Sequence, residues 1–108
     1  MGNTERRKYS RFEIEIEATI LQKDEKIPAT LIDISKGGVG LISERKIFPG
    51  TKVEITVNHI DNYAIYGTVR WVQPTSKEGR TQYRIGIEAD QILVPEYLGK
   101  DVLPERAE

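Results

Sequence analysis

The sequence predicts an all-β domain of six antiparallel strands, closed into a barrel or stacked as a sandwich. Three observations lead there. Apolar and polar residues alternate from Phe12 to Ile20, turn-rich stretches recur at short intervals, and no helical period runs before residue 90. A period of two sends successive side chains to opposite faces, which suits strands with one buried side.

In the first strand Phe12, Ile14, Ile16, Ala18 and Ile20 alternate with Glu13, Glu15, Glu17 and Thr19. A charged turn, Lys23 to Lys26, leads into a second strand from Pro28 to Ile34, where proline suits a strand start because it has no N–H to give to a ladder. Val39 to Ser43 forms a short third strand. After a Pro49-Gly50 turn, Val53, Ile55 and Val57 alternate with Glu54, Thr56 and Asn58 as the fourth. Tyr63, Ile65, Val69 and Trp71 share one parity around Gly67, and Tyr83, Ile85, Ile87 and Ala89 share another, giving strands five and six either side of the turn-rich Pro74 to Gly79. That parity predicts Trp71 in the core, on the face opposite Arg70, with stacking on a bound base as its second reading. Beyond Asp90 the pattern weakens. A short helix is expected from Pro95, since proline is tolerated in a first helical turn, and residues 104–108 read as a tail.

Composition narrows the function. A chain of 108 residues holds one domain, enough to bury roughly 60–70% of its unfolded surface. Net charge is −1, but Arg6, Arg7, Lys8 and Arg11 against Glu5 give residues 1–11 a charge of +3, leaving −4 for the rest. An acidic barrel with 7% aromatics is a poor platform for single-stranded nucleic acid, which needs a basic groove and stacking surfaces. No apolar run reaches the ~18 residues of a membrane span and there is no hydrophobic signal region, so a cytoplasmic protein is expected. The chain has no cysteine, and its single histidine, His59, sits beside an expected turn without a cluster of metal ligands or a paired nucleophile. Ser35 has no general base to activate it. Binding is favoured over catalysis, with no cofactor.

Two stretches stand out. Asp33-Ile34-Ser35-Lys36-Gly37-Gly38 interrupts the β-pattern with turn residues: Asp and Ser side chains can bond nearby backbone N–H groups, and paired glycines supply φ > 0 and let a ligand approach the backbone. Arg6-Arg7-Lys8-Tyr9-Ser10-Arg11 packs four of the sixteen Lys and Arg residues into six positions. Each alone is ordinary, as a turn and as a solvated basic terminus. Together, Arg7 and Arg11 as RxxxR followed by Asp33, Ser35 and Gly38 as DxSxxG resemble the PilZ domain family. Gly67 to Val72 and Tyr83 to Glu88 look like that family's later strands, so the resemblance spans roughly residues 6 to 90.

The resemblance implies the barrel rather than the sandwich, with a flexible arm over residues 1–11, a barrel and short C-terminal helix over 12–103, and a tail over 104–108. It also implies a receptor for cyclic di-GMP that signals to an unidentified protein effector through its arm, or, as the alternative, a scaffold of the same fold that does not bind the messenger. The residue types suit the ligand. A guanidinium pairs bidentately with phosphate oxygens or guanine O6 and N7, or stacks on a base. In an extended arm Arg7 and Arg11 lie on one side roughly 13 Å apart. Asp33 can accept from guanine N1 and N2, Ser35 can bond phosphate or base, and Gly37 and Gly38 leave the backbone open. Arg6, just before RxxxR, is implied to favour the ligand as an intercalated dimer.

Overall fold

The computed structural model describes residues 11–58 and 63–93. Six strands, β1 (Arg11–Gln22), β2 (Glu25–Ser35), β3 (Gly38–Ser43), β4 (Lys52–Val57), β5 (Ala64–Lys77) and β6 (Arg80–Ala89), close into a barrel in the order β1-β2-β3-β6-β5-β4. Every pairing is antiparallel. Closure removes the open sheet edges that would otherwise template aggregation. No helix among the described residues is long and apolar enough to cross a membrane. The expected helix near Pro95, the tail and His59 lie outside the described residues.

The core is aliphatic. Ile20, Leu31, Ile34, Leu41, Ile55 and Ile85 are completely enclosed, and no aromatic ring is among the buried residues described. β-branched side chains fit the pleated inner surface because their stiff χ1 loses little freedom there. Ile47 plugs the core from the loop between β3 and β4, and that loop is stitched to β5 by Gly50 N–H to Val69 O (2.7 Å) and Val69 N–H to Thr51 O (2.9 Å). Burial raises the Tyr63 phenol above its ordinary pKa, and its hydroxyl has no hydrogen-bond partner among the described residues.

Several strands run past their expected ends, and proline sets two of those expected boundaries. Pro28 lies within β2 rather than at its start, opposite Thr19, and is tolerated because β3 pairs only with Thr30 to Ile34. Likewise Pro74 does not end β5. The strand runs on to Lys77, past the reach of β4, and turns at Glu78 (φ 54) and Gly79 (φ 79), a two-residue loop with both central residues left-handed.

More consequential are the register shifts, which lie between Glu13 and Ile16 in β1, Leu31 and Asp33 in β2, and Val69 and Trp71 in β5. In β2 the inward parity of Ile27 and Leu31 would carry Asp33 into the core. The shift at Ile32 turns Asp33 outward and restores Ile34 to the inside. The shift in β5 does the same for Trp71. Ile65 and Val69 face inward, but Arg70 and Trp71 are both exposed and Val72 packs against the core. The expected core position of Trp71 is therefore corrected: it is 41% exposed, on the outer face. Nor is Arg70 opposite it in the sense expected, because the bulge leaves both outside, with Arg70 ion-paired to Glu88.

The tightest backbone approach sits at the start of β3. A Cβ on Gly38 would overlap the main-chain carbonyl of Ile87 in β6, and a backbone atom cannot swing aside. Gly38→Ala should therefore cost about 1–3 kcal/mol as an overpacking defect and lower the melting midpoint by on the order of 5–15 °C; an unchanged midpoint in calorimetry would show that β3 and β6 can separate freely.

Candidate functional site

Four residues line up across the outer face of the barrel. Asp33 in β2 is opposite Gly40 in β3, Gly40 is opposite Gly86 in β6, and Gly86 is opposite Trp71 in β5. Strands stand about 4.8 Å apart, so the outer two backbones are roughly 14 Å from each other. Both side chains lean inward over the glycines. The Asp33 carboxylate oxygens lie 2.8 and 2.9 Å from where a Cβ on Gly40 would be, and the Trp71 indole occupies the space a Cβ on Gly86 would take. The glycines thus form a floor on which a carboxylate and an aromatic ring converge.

Asp33 is only 7% exposed, and a buried carboxylate needs paired donors. Arg11 Nη1 supplies one at 3.4 Å from Oδ2, and Arg84 Nη2 stands 3.9 Å from the same oxygen as a charge partner. Arg11, the first residue of β1, is held in place by its pairing with Ser35. Two guanidiniums flank one carboxylate here, with Glu13 opposite it in β1, and most guanidinium N–H donors are uncommitted among the described residues. The backbone N–H bond that the sequence allowed Asp33 is not made to any of the described residues.

The turn beside this row is built by Ser35. Its Oγ accepts the Gly37 N–H (3.2 Å) and donates to the Gly38 carbonyl (3.4 Å). From the far side, Ala89 N–H bonds Gly37 O at 2.9 Å and Leu93 N–H bonds Lys36 O at 2.8 Å, which ties the turn to the end of β6. The expected positive φ at Gly37 and Gly38 is absent: among the described residues positive φ occurs at Lys23, Gly50, Glu78 and Gly79. Gly38 is required by the approach of β6 instead.

The structure thus gathers Arg11, Asp33, Ser35, Gly37, Gly38 and Trp71 on one face. Arg6 and Arg7 lie outside the described residues. Sequence reasoning passed over Arg84, Gly40 and Gly86. The signal was their shared parity on β6 and β3, which sets Arg84 two residues from Gly86 on the outer side. A separate groove of about 560 Å³, bordered by Lys26, Pro28, Thr30, Glu44, Arg45 and Asn58, includes none of these residues. Among the described residues no group of acidic, His or Cys side chains could hold a metal ion.

Comparison with known proteins agrees with this fold. The PilZ domain family model matches residues 5–96. The fold is similar to the PilZ domain of YcgR from Escherichia coli, solved with c-di-GMP (TM-score 0.61, 18% identity, 79% of this chain and 78% of that one). It is also similar to the Bacillus subtilis inhibitor of motility MotI/DgrA (0.63, 18%, 87% and 46%) and to Borreliella burgdorferi PlzA in complex with c-di-GMP (0.58, 9%, 92% and 54%). The chain spans about half the length of the latter two. No curated protein sequence matches.

Because Trp71 is the only tryptophan, its seat can be read directly. Gly86→Ala should lift the indole off β6, shift its fluorescence emission to longer wavelength and cost about 1–3 kcal/mol in stability; an unmoved emission maximum would mean the ring does not rest on Gly86.

Proposed function

The chain belongs to the PilZ domain family, and from that premise we propose that it is a receptor for cyclic di-GMP whose occupied form is read by a protein effector. The observation that carries the proposal is the outer-face row, in which a carboxylate flanked by two guanidiniums and an exposed indole meet over two glycines. Two of the similar structures are described as containing c-di-GMP, which supports the choice of ligand.

In this reading Asp33 accepts from N1 and N2 of one guanine, and Trp71 offers its open face to a base. Arg11 gives up part of its contact with Asp33 and, with Arg7, grips phosphate or the O6/N7 edge. Each guanidinium can make two parallel charge-assisted bonds. Ser35, Gly37 and Gly38 present hydroxyl and backbone to the phosphodiester, and Arg6 favours binding of a stacked pair of ligand molecules. No step in this requires bond making, so the protein acts as a receptor and not as an enzyme, in the cytoplasm.

Coupling to a partner runs through the residues that precede β1. Residues 1–11 carry a charge of +3 that opposes close packing of Arg6, Arg7 and Lys8 against the fixed Arg11, and a dianionic ligand removes that repulsion. The arm then lies across the row and forms part of a new surface, an order–disorder switch. Phe12 anchors its end, since it packs against the core beside Ile34.

Calorimetric titration of cyclic di-GMP tests the proposal. Wild type should bind saturably, and Arg7→Ala or Arg11→Ala should each remove charge-assisted bonds worth about 1.5–3 kcal/mol, weakening binding by roughly tenfold to over a hundredfold. A folded wild type that gives no binding heat and no thermal shift would leave the family's fold serving as a protein scaffold without the messenger.

A further inference from the structure

Among the described residues Arg84 is the one charged side chain paired with the site's carboxylate that belongs to neither sequence motif. It stands on the outer face of β6, opposite Ile42 in β3 and Gln73 in β5, two residues before the glycine that seats Trp71. Its side chain is about half exposed (48%), and its Nη2 lies 3.9 Å from Asp33 Oδ2. That distance is beyond a good hydrogen bond, so the contact is a loose charge pairing rather than a fork. Arg11 already holds the same oxygen at 3.4 Å. Arg84 therefore contributes little to satisfying Asp33, and its half-exposed guanidinium keeps donors to spare.

We propose that Arg84 is a specificity-determining contact, donating to the O6/N7 edge of the guanine whose N1 and N2 are held by Asp33. The inference rests on the cyclic di-GMP reading and adds to it a residue and an atom. Guanine carries O6 next to N1 on the same ring edge, so a base donating N1–H and N2–H to Asp33 presents O6 to whatever stands beside that carboxylate. Arg84 stands there. Its planar fork matches the two acceptors O6 and N7, the commonest arginine–guanine pairing. Adenine has an amino donor where guanine has O6, and the same guanidinium would oppose it. Trp71, on the neighbouring strand, supplies a face for the ring while Asp33 and Arg84 read its edge.

The opposite role has the opposite sign. If Arg84 were only a counter-ion of Asp33, its removal would free the carboxylate and leave cyclic di-GMP binding unchanged or tighter. The test is calorimetric titration of cyclic di-GMP into wild type, Arg84→Met and Arg84→Lys, with melting of each unliganded protein. A contact of this kind predicts at least a tenfold weaker Kd for Arg84→Met and a smaller loss for Arg84→Lys, which keeps the charge but not the fork, with unliganded melting points close to wild type. Wild-type or tighter binding by Arg84→Met overturns the inference while leaving the receptor reading intact, as does wild-type affinity in Arg84→Lys for the fork. Should Arg84→Met melt early, the Lys variant decides, since it preserves the pairing with Asp33. A wild type that does not bind at all overturns the receptor reading itself, and this contact with it.

Discussion

An aliphatic barrel cannot accept a carboxylate inside it, and the rest of the structure follows from how this chain avoids doing so. Strand parity would deliver Asp33 between Leu31 and Leu41 in a core without polar partners, where an unpaired charge costs several kcal/mol or more. A one-residue slip costs far less. The ladder irregularity at Ile32 moves Asp33 to the outer face and brings Ile34, fully buried, into its place. The irregularity between Val69 and Trp71 brings an indole to the same row. Gly40 and Gly86, themselves lacking side chains, leave the space that both groups need. Bulges and glycines that each look like defects in a sheet combine into a site.

Much of the fold was legible in the sequence, because alternation and turn chemistry are local. The six strands and their order along the chain follow from Phe12 to Ile20, from Val53, Ile55 and Val57, and from the glycine and proline punctuation between them. Prolines misled where their context was tertiary. Pro28 and Pro74 read as boundaries, yet each sits in a strand stretch whose one side has no partner. Trp71 was misplaced because parity counting assumes an unbroken ladder, and nothing local to Val69-Arg70-Trp71 announces the break. Gly40, Gly86 and Arg84 acquire meaning only from strands distant in sequence. A glycine in β3 matters because of a carboxylate in β2, and one in β6 because of a ring in β5.

The electrostatics of the face suit a binding site better than a structural ion pair. Arg11 and Arg84 share a single oxygen of Asp33, neither at the distance of a strong charge-assisted bond, and both side chains are a third to a half exposed. Only the Asp33 end of these pairs is buried, and long contacts from hydrated guanidiniums hold it weakly. Their value lies in presenting donors already collected over a rigid floor, so that an anionic ligand with guanine edges meets groups that need little ordering. The turn of Ser35 to Gly38 adds to that rigidity, since its carbonyls are tied to Ala89 and Leu93. The messenger, on this account, completes a surface that the strands have preassembled.

Two-dimensional 15N–1H spectra of the labelled protein during titration with cyclic di-GMP address this account most directly. The account predicts that the Trp71 indole Nε1–H and the amides of Gly37, Gly38, Gly40 and Gly86 shift together and saturate, while Thr30, Glu44 and Asn58 around the separate groove stay in place. Shifts centred on that groove, with the Trp71 and glycine signals unmoved, would contradict it.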